Sequence, residues 1–403
     1  MKSRESLACS FCLARFPYDP FLPFCPDCHE PLSIKYPQKK RRLRLNKNLP
    51  LERYLDFLPL EKIDASLSLG EGGTPLLRLS RLGDIPGSPR VLAKNETLNP
   101  THSFKDRGTA VVVQKARALG LDKIGTVSTG NMAASTGAYG ARAGLKTFIL
   151  VKEDTTLEKL LAAAAYGPEV IKVAGDYGEL FQKSLSLGKA HGVYFANSVD
   201  PVRVEGYKVT GYEVFQDLGG RAPRFLIVPL SSGGHLLGLM RAFLDLKAEG
   251  LIPEMPVIVG VQAAGCSPLA RAFDAGGLDY ERFPNPHTIA HAISNATPPG
   301  GRLVLKLIRE NKGMILAVTD EDMLEAQRLL AEREGVFCLP DSATTLAGLF
   351  ELAGRVRLTP EDDVVLLITG TGLKNLEALD PATMKMRTSS LSDLEGILSG
   401  LTA

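Results

Sequence analysis

One lysine of this 403-residue chain is placed for nucleophilic chemistry. Lys105 follows a Pro-Thr-His-Ser-Phe run and precedes a helical pattern over Thr109–Leu119. We expect Ser103 to cap this helix and Asp106 to be a favourable acid in its first turn. Positive helix ends and positive charges near this helix start disfavour a protonated amine on Lys105. A neutral amine can act as a nucleophile and as a base. Taken alone, a lysine between acidic and basic neighbours is more often a solvated member of an ion pair.

Two short turns between strands and helices suit anion binding. Ser128-Thr129-Gly130-Asn131 precedes a helical pattern over Ala133–Ala143, and Ser231-Ser232-Gly233-Gly234-His235 also lies between a strand and a helix. Such turns offer backbone N–H groups and a positive helix end, and glycine allows close backbone approach. One such turn is weak evidence, because many only connect elements. Two in one chain suit a phosphorylated cofactor together with an acidic or phosphorylated substrate.

A third turn, Thr369-Gly370-Thr371-Gly372-Leu373-Lys374, follows a strand-like run. A hydroxyl there could donate a hydrogen bond to a pyridine nitrogen without protonating it. The plainer interpretation is a turn that only ends the strand.

Four cysteines near the N-terminus have the spacing of a metal site. Cys9-x-x-Cys12 and Cys25-x-x-Cys28 give two thiolate pairs from two tight turns. Four sulfur ligands in a closed tetrahedral set suit structural zinc and leave no open position for chemistry. Iron is the main competitor, and free thiols are the remaining alternative.

Composition narrows the class of protein. Hydrophobic residues make up 44%, charged residues 23% and the net charge is +2, so no strong field for nucleic acid or a membrane surface is indicated. We find no signal peptide and no apolar run long enough to span a bilayer. Metal-type cysteine use without export signals predicts a reducing compartment, and therefore the cytoplasm.

Strands alternate with helices after residue 66. Strand-like runs and helical patterns in alternation predict parallel pairing in a layered α/β fold. The strand-like runs are Lys123–Val127, Thr147–Val151, Phe225–Leu230, Val257–Val261 and Val364–Ile368, and helical patterns cover Leu157–Ala165, Leu236–Leu246 and Asp322–Arg333. Before them, a basic stretch with Lys39, Lys40, Arg41, Arg42, Arg44 and Lys47 predicts a solvated connector, with an acidic partner as the alternative.

With these segments in view, the chain resembles threonine synthases, within the tryptophan-synthase-β-like (fold type II) pyridoxal-phosphate (PLP) enzymes. The likeness runs from about Leu69 to Asn375 and includes the Gly70–Leu76 segment and the motifs above. It also includes Arg203-Val204-Glu205-Gly206. An N-terminal zinc ribbon occurs in some family members.

The resemblance implies a fold of two open, mostly parallel sheets with flanking helices, preceded by the ribbon. The expected division is a zinc ribbon (1–33), a basic linker or extension (34–66), a large PLP-binding domain (67–116 and 207–395) and a small substrate domain (117–206). A homodimer is also implied, since dimers are usual in the family.

The resemblance also implies roles for single residues. Lys105 would form the Schiff base with PLP and shuttle protons. The other implied cofactor residues are Asn131 at the O3′ oxygen, Ser231, Ser232, Gly233, Gly234 and His235 at the phosphate, and Thr369 at the pyridine nitrogen. The implied substrate residues are Ser128, Thr129, Asn197, Ser198 and Arg203. The implied reaction converts O-phospho-L-homoserine and water to L-threonine and phosphate.

Three positions depart from the family pattern. Met132 stands where Thr is usual, His102 where Gly is usual, and Ser231–His235 replaces a Gly-Asn-x-Gly-Asn run. Neutral drift is one account of these departures. A changed substrate is the other, as in a cysteate synthase acting on O-phospho-L-serine or a threonine dehydratase. A third hypothesis is a non-catalytic protein that docks onto nucleic acid or a partner through the ribbon and the Lys39–Lys47 stretch. Lys105, Asn131 and Thr369 argue against it, because a binding module has no use for them.

Overall fold

The computed structural model describes residues 5–36, 41–376 and 387–402. The described strands are β1 (Ser6–Cys9), β2 (Arg15–Pro17), β3 (Leu32–Lys35), β4 (Leu76–Arg78), β5 (Arg90–Asn95), β6 (Lys123–Val127), β7 (Lys146–Lys152), β8 (Glu169–Val173), β9 (Tyr194–Phe195), β10 (Phe225–Pro229), β11 (Val257–Ala263), β12 (Met314–Val318) and β13 (Asp363–Ile368).

The described α-helices are α1 (Pro50–Arg53), α2 (Lys105–Ala118), α3 (Asn131–Arg142), α4 (Leu157–Ala164), α5 (Tyr177–His191), α6 (Pro201–Asp217), α7 (Gly234–Ala248), α8 (Pro268–Asp274), α9 (Gly301–Glu310), α10 (Asp320–Glu334), α11 (Pro340–Arg355) and α12 (Leu394–Thr402). Every strand and helix predicted from periodicity is present, with ends that differ by a few residues.

The larger sheet has the strand order β12-β11-β10-β13-β5-β4. Its pairings are parallel except for the edge pair of β4 with β5. All residues of β10 and β13 are buried, as expected for central parallel strands that are covered on both faces. Because β5, β10 and β13 are parallel, the turns that follow them meet at one edge of the sheet, where open α/β sheets place their ligands.

The smaller sheet has the order β8-β7-β6-β9 and is parallel throughout. All of its strands come from residues 123–195, between α2 and α6. Two mostly parallel sheets with flanking helices, preceded by a cysteine-rich unit, confirm the predicted fold class.

The N-terminal unit is a three-stranded antiparallel sheet in the order β2-β1-β3. Its third strand ends at Lys35, two residues beyond the predicted boundary. Leu7, Leu32 and Ile34 are buried in a hydrophobic cluster that continues into the larger α/β unit. The ribbon is therefore docked on the rest of the chain through an apolar face.

Arg42 and Lys47 are exposed, as the charge of the basic stretch predicts, but Arg41 and the residues that follow the stretch are attached to the rest of the fold. Tyr54 and Phe57 are fully buried and pack on the ring of Tyr212 in α6. Arg41 forms an ion pair with Asp245 at 2.6 Å. Lys39 and Lys40 lie outside the described residues. A run of cations predicts solvation only when no acidic partners are available, and the tertiary structure supplies one to Arg41.

A buried ion cluster fixes α2 against α6. Arg107, in the first turn of α2, donates hydrogen bonds to both carboxylate oxygens of Glu96 and of Glu213. Lys94 also contacts Glu213, at 2.9 Å. Burial raises the pKa of Glu213, but Arg107 and Lys94 outweigh it and lower that pKa to about 2. The charges are therefore paired, which is the condition under which buried charges are tolerated.

Within the described residues, no helix combines the length and the apolar character needed to cross a membrane.

Candidate active site

The segment that carries Lys105 pairs with the turn that follows β13. The backbone N–H of Phe104 donates to the carbonyl of Thr369 at 3.0 Å, and that of Thr371 donates to the carbonyl of His102 at 3.2 Å. Ser103 and Gly370 form an antiparallel bridge. These bonds bring the start of α2 to the carboxyl end of β13, although the two segments lie far apart in sequence.

Lys105 is the first residue of α2 and is half-buried. Burial, and next the positive charge of Arg203, lower the pKa of its amine to about 7, against a smaller opposing effect of Asp341. The expectation that the amine is disfavoured in its protonated form is thus supported. Ser103 does not cap the helix, because the N-cap residue is Phe104 and it makes no side-chain cap bond. The buried hydroxyl of Ser103 has no hydrogen-bond partner among the described residues.

The ring of Phe104 lies between Lys105 and His235. The Lys105 Nζ is 4.2 Å from the ring centroid, and the imidazole of His235 stacks on the ring at 4.0 Å and 18°. A stacked imidazole at that distance fills one face of the ring, so the amine lies over the other face. Burial, followed by the charge of Lys105, lowers the pKa of His235, which is therefore neutral near pH 7. Within the described chain, neither of its ring nitrogens has a hydrogen-bond partner.

The turn Ser231–His235 joins β10 to the start of α7. Gly233 has φ +94°, a conformation that glycine adopts readily. A Cβ on Gly234 would lie 2.1 Å from the carbonyl oxygen of Ser198. The glycines were predicted to let the backbone approach a ligand, but the structure gives them a packing reason as well. Ser198, predicted for the substrate, thereby lies directly beside this turn.

The turn Ser128–Asn131 joins β6 to α3, and Asn131 is the first residue of that helix. The side-chain oxygen of Asn131 accepts a hydrogen bond from the Lys374 Nζ at 2.7 Å. Its amide nitrogen would be 3.2 Å from a Cβ on Gly370, so the amide lies against the turn after β13. Ser128 and Thr129, the first two residues of the turn, are half-buried. The structure thus brings Asn131 and its turn close to the Lys105 segment.

Thr369 has a side-chain partner that the sequence did not reveal. Its hydroxyl lies 2.9 Å from that of Ser342, which also accepts from the backbone N–H of Gly370 at 3.0 Å. The neighbouring Asp341 accepts a hydrogen bond from the Ile293 N–H at 3.1 Å, and burial raises its pKa to about 6. Both residues begin α11. An Asp-Ser pair after a proline marks a helix start and nothing more, so no local signal could have identified them.

Arg203 is fully buried in α6, and it donates hydrogen bonds to two neutral acceptors. Its Nε donates to the carbonyl of Ala196 at 2.8 Å and one terminal nitrogen donates to the Thr109 hydroxyl at 2.7 Å. The other terminal nitrogen has no partner in the described part of the chain. A buried guanidinium with a free donor favours an anion nearby.

The side chain of Asn197, predicted for the substrate, is hydrogen-bonded within the protein. Its side-chain oxygen accepts from the Val127 N–H at 2.9 Å and from the Thr126 hydroxyl, and its nitrogen donates to Ser184. Its amide therefore ties the end of β6 to the loop before α6, and substrate binding by this side chain would require those bonds to open.

The four N-terminal cysteines form a separate site. All four Sγ atoms lie within 4.8 Å of one another, with Cys9 and Cys28 at 3.4 Å and Cys12 and Cys25 at 3.6 Å. Tetrahedral Zn–S bonds of about 2.3 Å place sulfurs about 3.8 Å apart, close to these separations. The N–H groups of Phe11 and Cys12 donate to Cys9 Sγ at 3.3 and 3.4 Å. The cluster is a metal-binding site by geometry and donor type.

The backbone conformation at one of the three departures accounts for the residue that is usual in the family, and nothing in the structure explains Met132. His102 has φ +59°, in the left-handed region that glycine adopts without strain, which explains why glycine suits this position. Met132 is buried in the first turn of α3. A thioether at this position offers no hydroxyl to a ligand.

Comparison with known proteins agrees with this geometry. The family model described as pyridoxal-phosphate dependent enzyme matches residues 67–370. A threonine synthase of Methanocaldococcus jannaschii is 38% identical over 351 residues, which is 87% of this chain and 86% of that protein. A threonine synthase of Methanosarcina acetivorans is 32% identical over 384 residues, 94% of this chain and 93% of that protein.

A solved structure of a related protein supports the same family assignment from the fold. The crystal structure of a threonine deaminase from T.th. matches this chain with a TM-score of 0.61 and 28% sequence identity. The match covers 79% of this chain and 94% of the deaminase chain. The chain therefore belongs to the pyridoxal-phosphate dependent enzymes and, within them, to the threonine synthase family.

Proposed function

We propose that this chain is a PLP-dependent threonine synthase that converts O-phospho-L-homoserine and water to L-threonine and phosphate. The observation that carries the proposal is a half-buried lysine with a pKa of about 7, placed where the turn after β13 meets the start of α2. Relatives named threonine synthase, at 32–38% identity over most of the chain, support the substrate and product.

The residues around Lys105 fit PLP. Buried polar atoms without partners in the described chain, the two ring nitrogens of His235 and the hydroxyl of Ser103, imply that a polar ligand completes the site. The N-termini of α3 and α7 supply positive helix ends for anions. With a pKa of about 7, about half of Lys105 is neutral at pH 7, as reaction with an aldehyde requires.

We assign the cofactor residues accordingly. Lys105 holds the cofactor covalently, and the turn from Ser231 to His235 binds its phosphate. Asn131 binds the ring oxygen, and its amide nitrogen is free for this because Lys374 occupies its oxygen. Thr369 faces the pyridine nitrogen with a hydroxyl that is oriented by Ser342.

PLP, when bound, supplies an electron sink for carbanion chemistry at the substrate. The protein's part in the reaction is proton transfer and orientation. Lys105 takes the proton from the α-carbon and later returns protons, and a pKa of about 7 suits both directions near neutral pH.

We assign the substrate to the side of the site that faces the smaller sheet. The free nitrogen of Arg203 is a donor for the substrate phosphate, with charge-assisted bonds that also stabilise the departing phosphate. Ser128, Thr129 and Ser198 complete this region. Asn197 contributes less than the family pattern implies, because its amide is already engaged.

Phosphate release with a panel of substrates tests the proposal. We expect turnover of O-phospho-L-homoserine with equimolar threonine, and none in Lys105→Ala. O-phospho-L-serine with sulfite and L-threonine are the comparison substrates, because Met132 and the Ser231–His235 turn depart from the family pattern. Turnover of O-phospho-L-serine without turnover of O-phospho-L-homoserine would assign the chain to β-replacement chemistry instead.

We further propose one structural zinc in the cysteine ribbon, a homodimer and a cytoplasmic location. We also propose the division into a large cofactor domain (67–116 and 207–395) and a small substrate domain (117–206), which follows the two sheets.

The separations between the cysteine sulfurs support zinc. Metal analysis of reduced protein, with Cys25→Ser as the control, should find about one zinc per chain, and iron in its place would correct the assignment. Sedimentation equilibrium tests the dimer.

A further inference from the structure

The first turn of α9 lies against the phosphate-binding turn proposed above. The backbone N–H of Gly300 donates to the carbonyl of Ser232 at 3.2 Å, and Asn295 donates to the Ser232 hydroxyl at 3.0 Å. A Cβ on Gly233 would lie 2.7 Å from a methyl group of Val304 in α9. The backbone of the phosphate-binding turn is thus fixed by the position of the start of α9.

Helix α9 has no cap from its own sequence. Its N-cap residue is Gly300, which makes no side-chain bond, and its first turn contains no acidic residue. The first N–H groups of a helix need acceptors, and buried ones without acceptors are costly. The Leu303 N–H finds its acceptor in the cysteine ribbon, at the Glu30 carboxylate, 3.2 Å away. Glu30 is only 5% exposed, so this contact is shielded from water.

Both cysteine turns of the ribbon contact α9. Glu30 lies two residues after Cys28. In the other turn, Ser10 accepts a hydrogen bond at its carbonyl from Lys306 Nζ at 3.0 Å. Phe11, next to it, lies under the guanidinium of Arg302 at 4.4 Å. The backbone that carries these contacts is the backbone that a bound metal would hold in place.

We propose that Glu30 is a positioning residue for the cofactor-phosphate turn, acting as an N-terminal cap for α9, and that metal in the ribbon strengthens cofactor binding through it. The path runs from Cys28 to Glu30, from Glu30 to the Leu303 N–H, and from Val304 to Gly233. Because coupling between two binding sites is reciprocal, bound PLP also raises the affinity of the ribbon for the metal by the same factor. The inference rests on the proposed assignment of Ser231–His235 to the cofactor phosphate.

The test compares three variants by the dissociation constant of PLP, measured from the absorbance of the bound cofactor. Glu30→Ala removes the cap and is expected to weaken PLP binding about fivefold, which corresponds to a cap contact of about 1 kcal/mol. Glu30→Gln keeps an acceptor oxygen and should recover part of the affinity. Asn311→Ala is the matched control, because it removes one side-chain bond to the Leu307 carbonyl at the other end of α9. It should leave the PLP dissociation constant unchanged.

A second arm removes the metal with a chelator. Wild-type protein should then bind PLP more weakly, whereas Glu30→Ala should show little further loss. Lys306→Met breaks the second contact and should weaken PLP binding about two- to fivefold, which corresponds to one hydrogen bond of about 0.5–1 kcal/mol. It provides the measurement if Glu30→Ala does not fold. Equal PLP affinity in wild type, Glu30→Ala and Lys306→Met would overturn the inference, as would an equal loss in Asn311→Ala. Wild-type protein that binds no PLP would instead overturn the proposed function.

Discussion

Between pH 7 and pH 9, the rate at which the cofactor-free protein takes up PLP should rise only about twofold. Only the neutral amine attacks an aldehyde, and a pKa of about 7 for Lys105 makes about half of it neutral at pH 7. An ordinary lysine, with a pKa of about 10.4, would gain about a hundredfold over the same range. The two pH dependences therefore differ about fiftyfold, because burial first and the charge of Arg203 second lower the pKa of Lys105.

Stopped-flow absorbance of the bound cofactor measures this profile. The rate with a free lysine derivative in the same buffers serves as the reference, because it removes the ionisations of PLP itself. Below pH 7 the neutral fractions of Lys105 and of the reference amine both fall about tenfold per pH unit, so the ratio of the two rates should stay constant there. Between pH 7 and pH 9 this ratio should fall about fiftyfold.

Arg203→Gln sharpens the test by changing the charge near the amine. Removing a positive charge favours protonation of Lys105, so the pKa rises and the inflection moves to higher pH. Arg355→Gln, at an exposed ion pair in α11, is the control and should leave the inflection near pH 7. A wild-type rate that keeps rising tenfold per unit up to pH 9 would refute the burial argument for Lys105.

Three further outcomes follow from the packing around the site. Arg107→Met leaves Glu96 and Glu213 buried without their cation and should lower the free energy of unfolding by about 3–5 kcal/mol in urea titrations. Arg328→Met, the control at exposed ion pairs, should change it by less than about 1 kcal/mol. Equal losses in the two variants would contradict the argument that the buried cluster stabilises the fold. His102→Gly relieves a left-handed backbone and should raise the free energy of unfolding by about 0.5–1 kcal/mol in the same assay; a decrease would show that the conformation carries no strain. Gly234→Ala places a methyl group 2.1 Å from a carbonyl oxygen and should weaken PLP binding at least tenfold, and unchanged affinity would show that the turn after β10 does not hold the cofactor.

The sequence by itself determined the elements and the chemistry that each motif can do. Runs such as Lys123–Val127 and Val364–Ile368 appear as strands at nearly the predicted bounds, because their apolar content is decisive over a few residues. The cysteine pairs could be identified because metal ligands in tight turns are local in sequence. Lys105 could be identified because it opens a helix and several motifs accompany it.

Only the tertiary structure decided which side chains complete the site. Ser342 and Asp341 reach Thr369 and Lys105 because α11 packs beside β13, a contact that no local pattern encodes. Charge alone predicted that the basic stretch is exposed, but Asp245 pairs with Arg41 across the fold. Glu30 acts on α9 from more than 270 positions away. Local sequence determines propensity and donor type, whereas burial and distant partners determine pKa and orientation, since these depend on which surfaces the fold brings together.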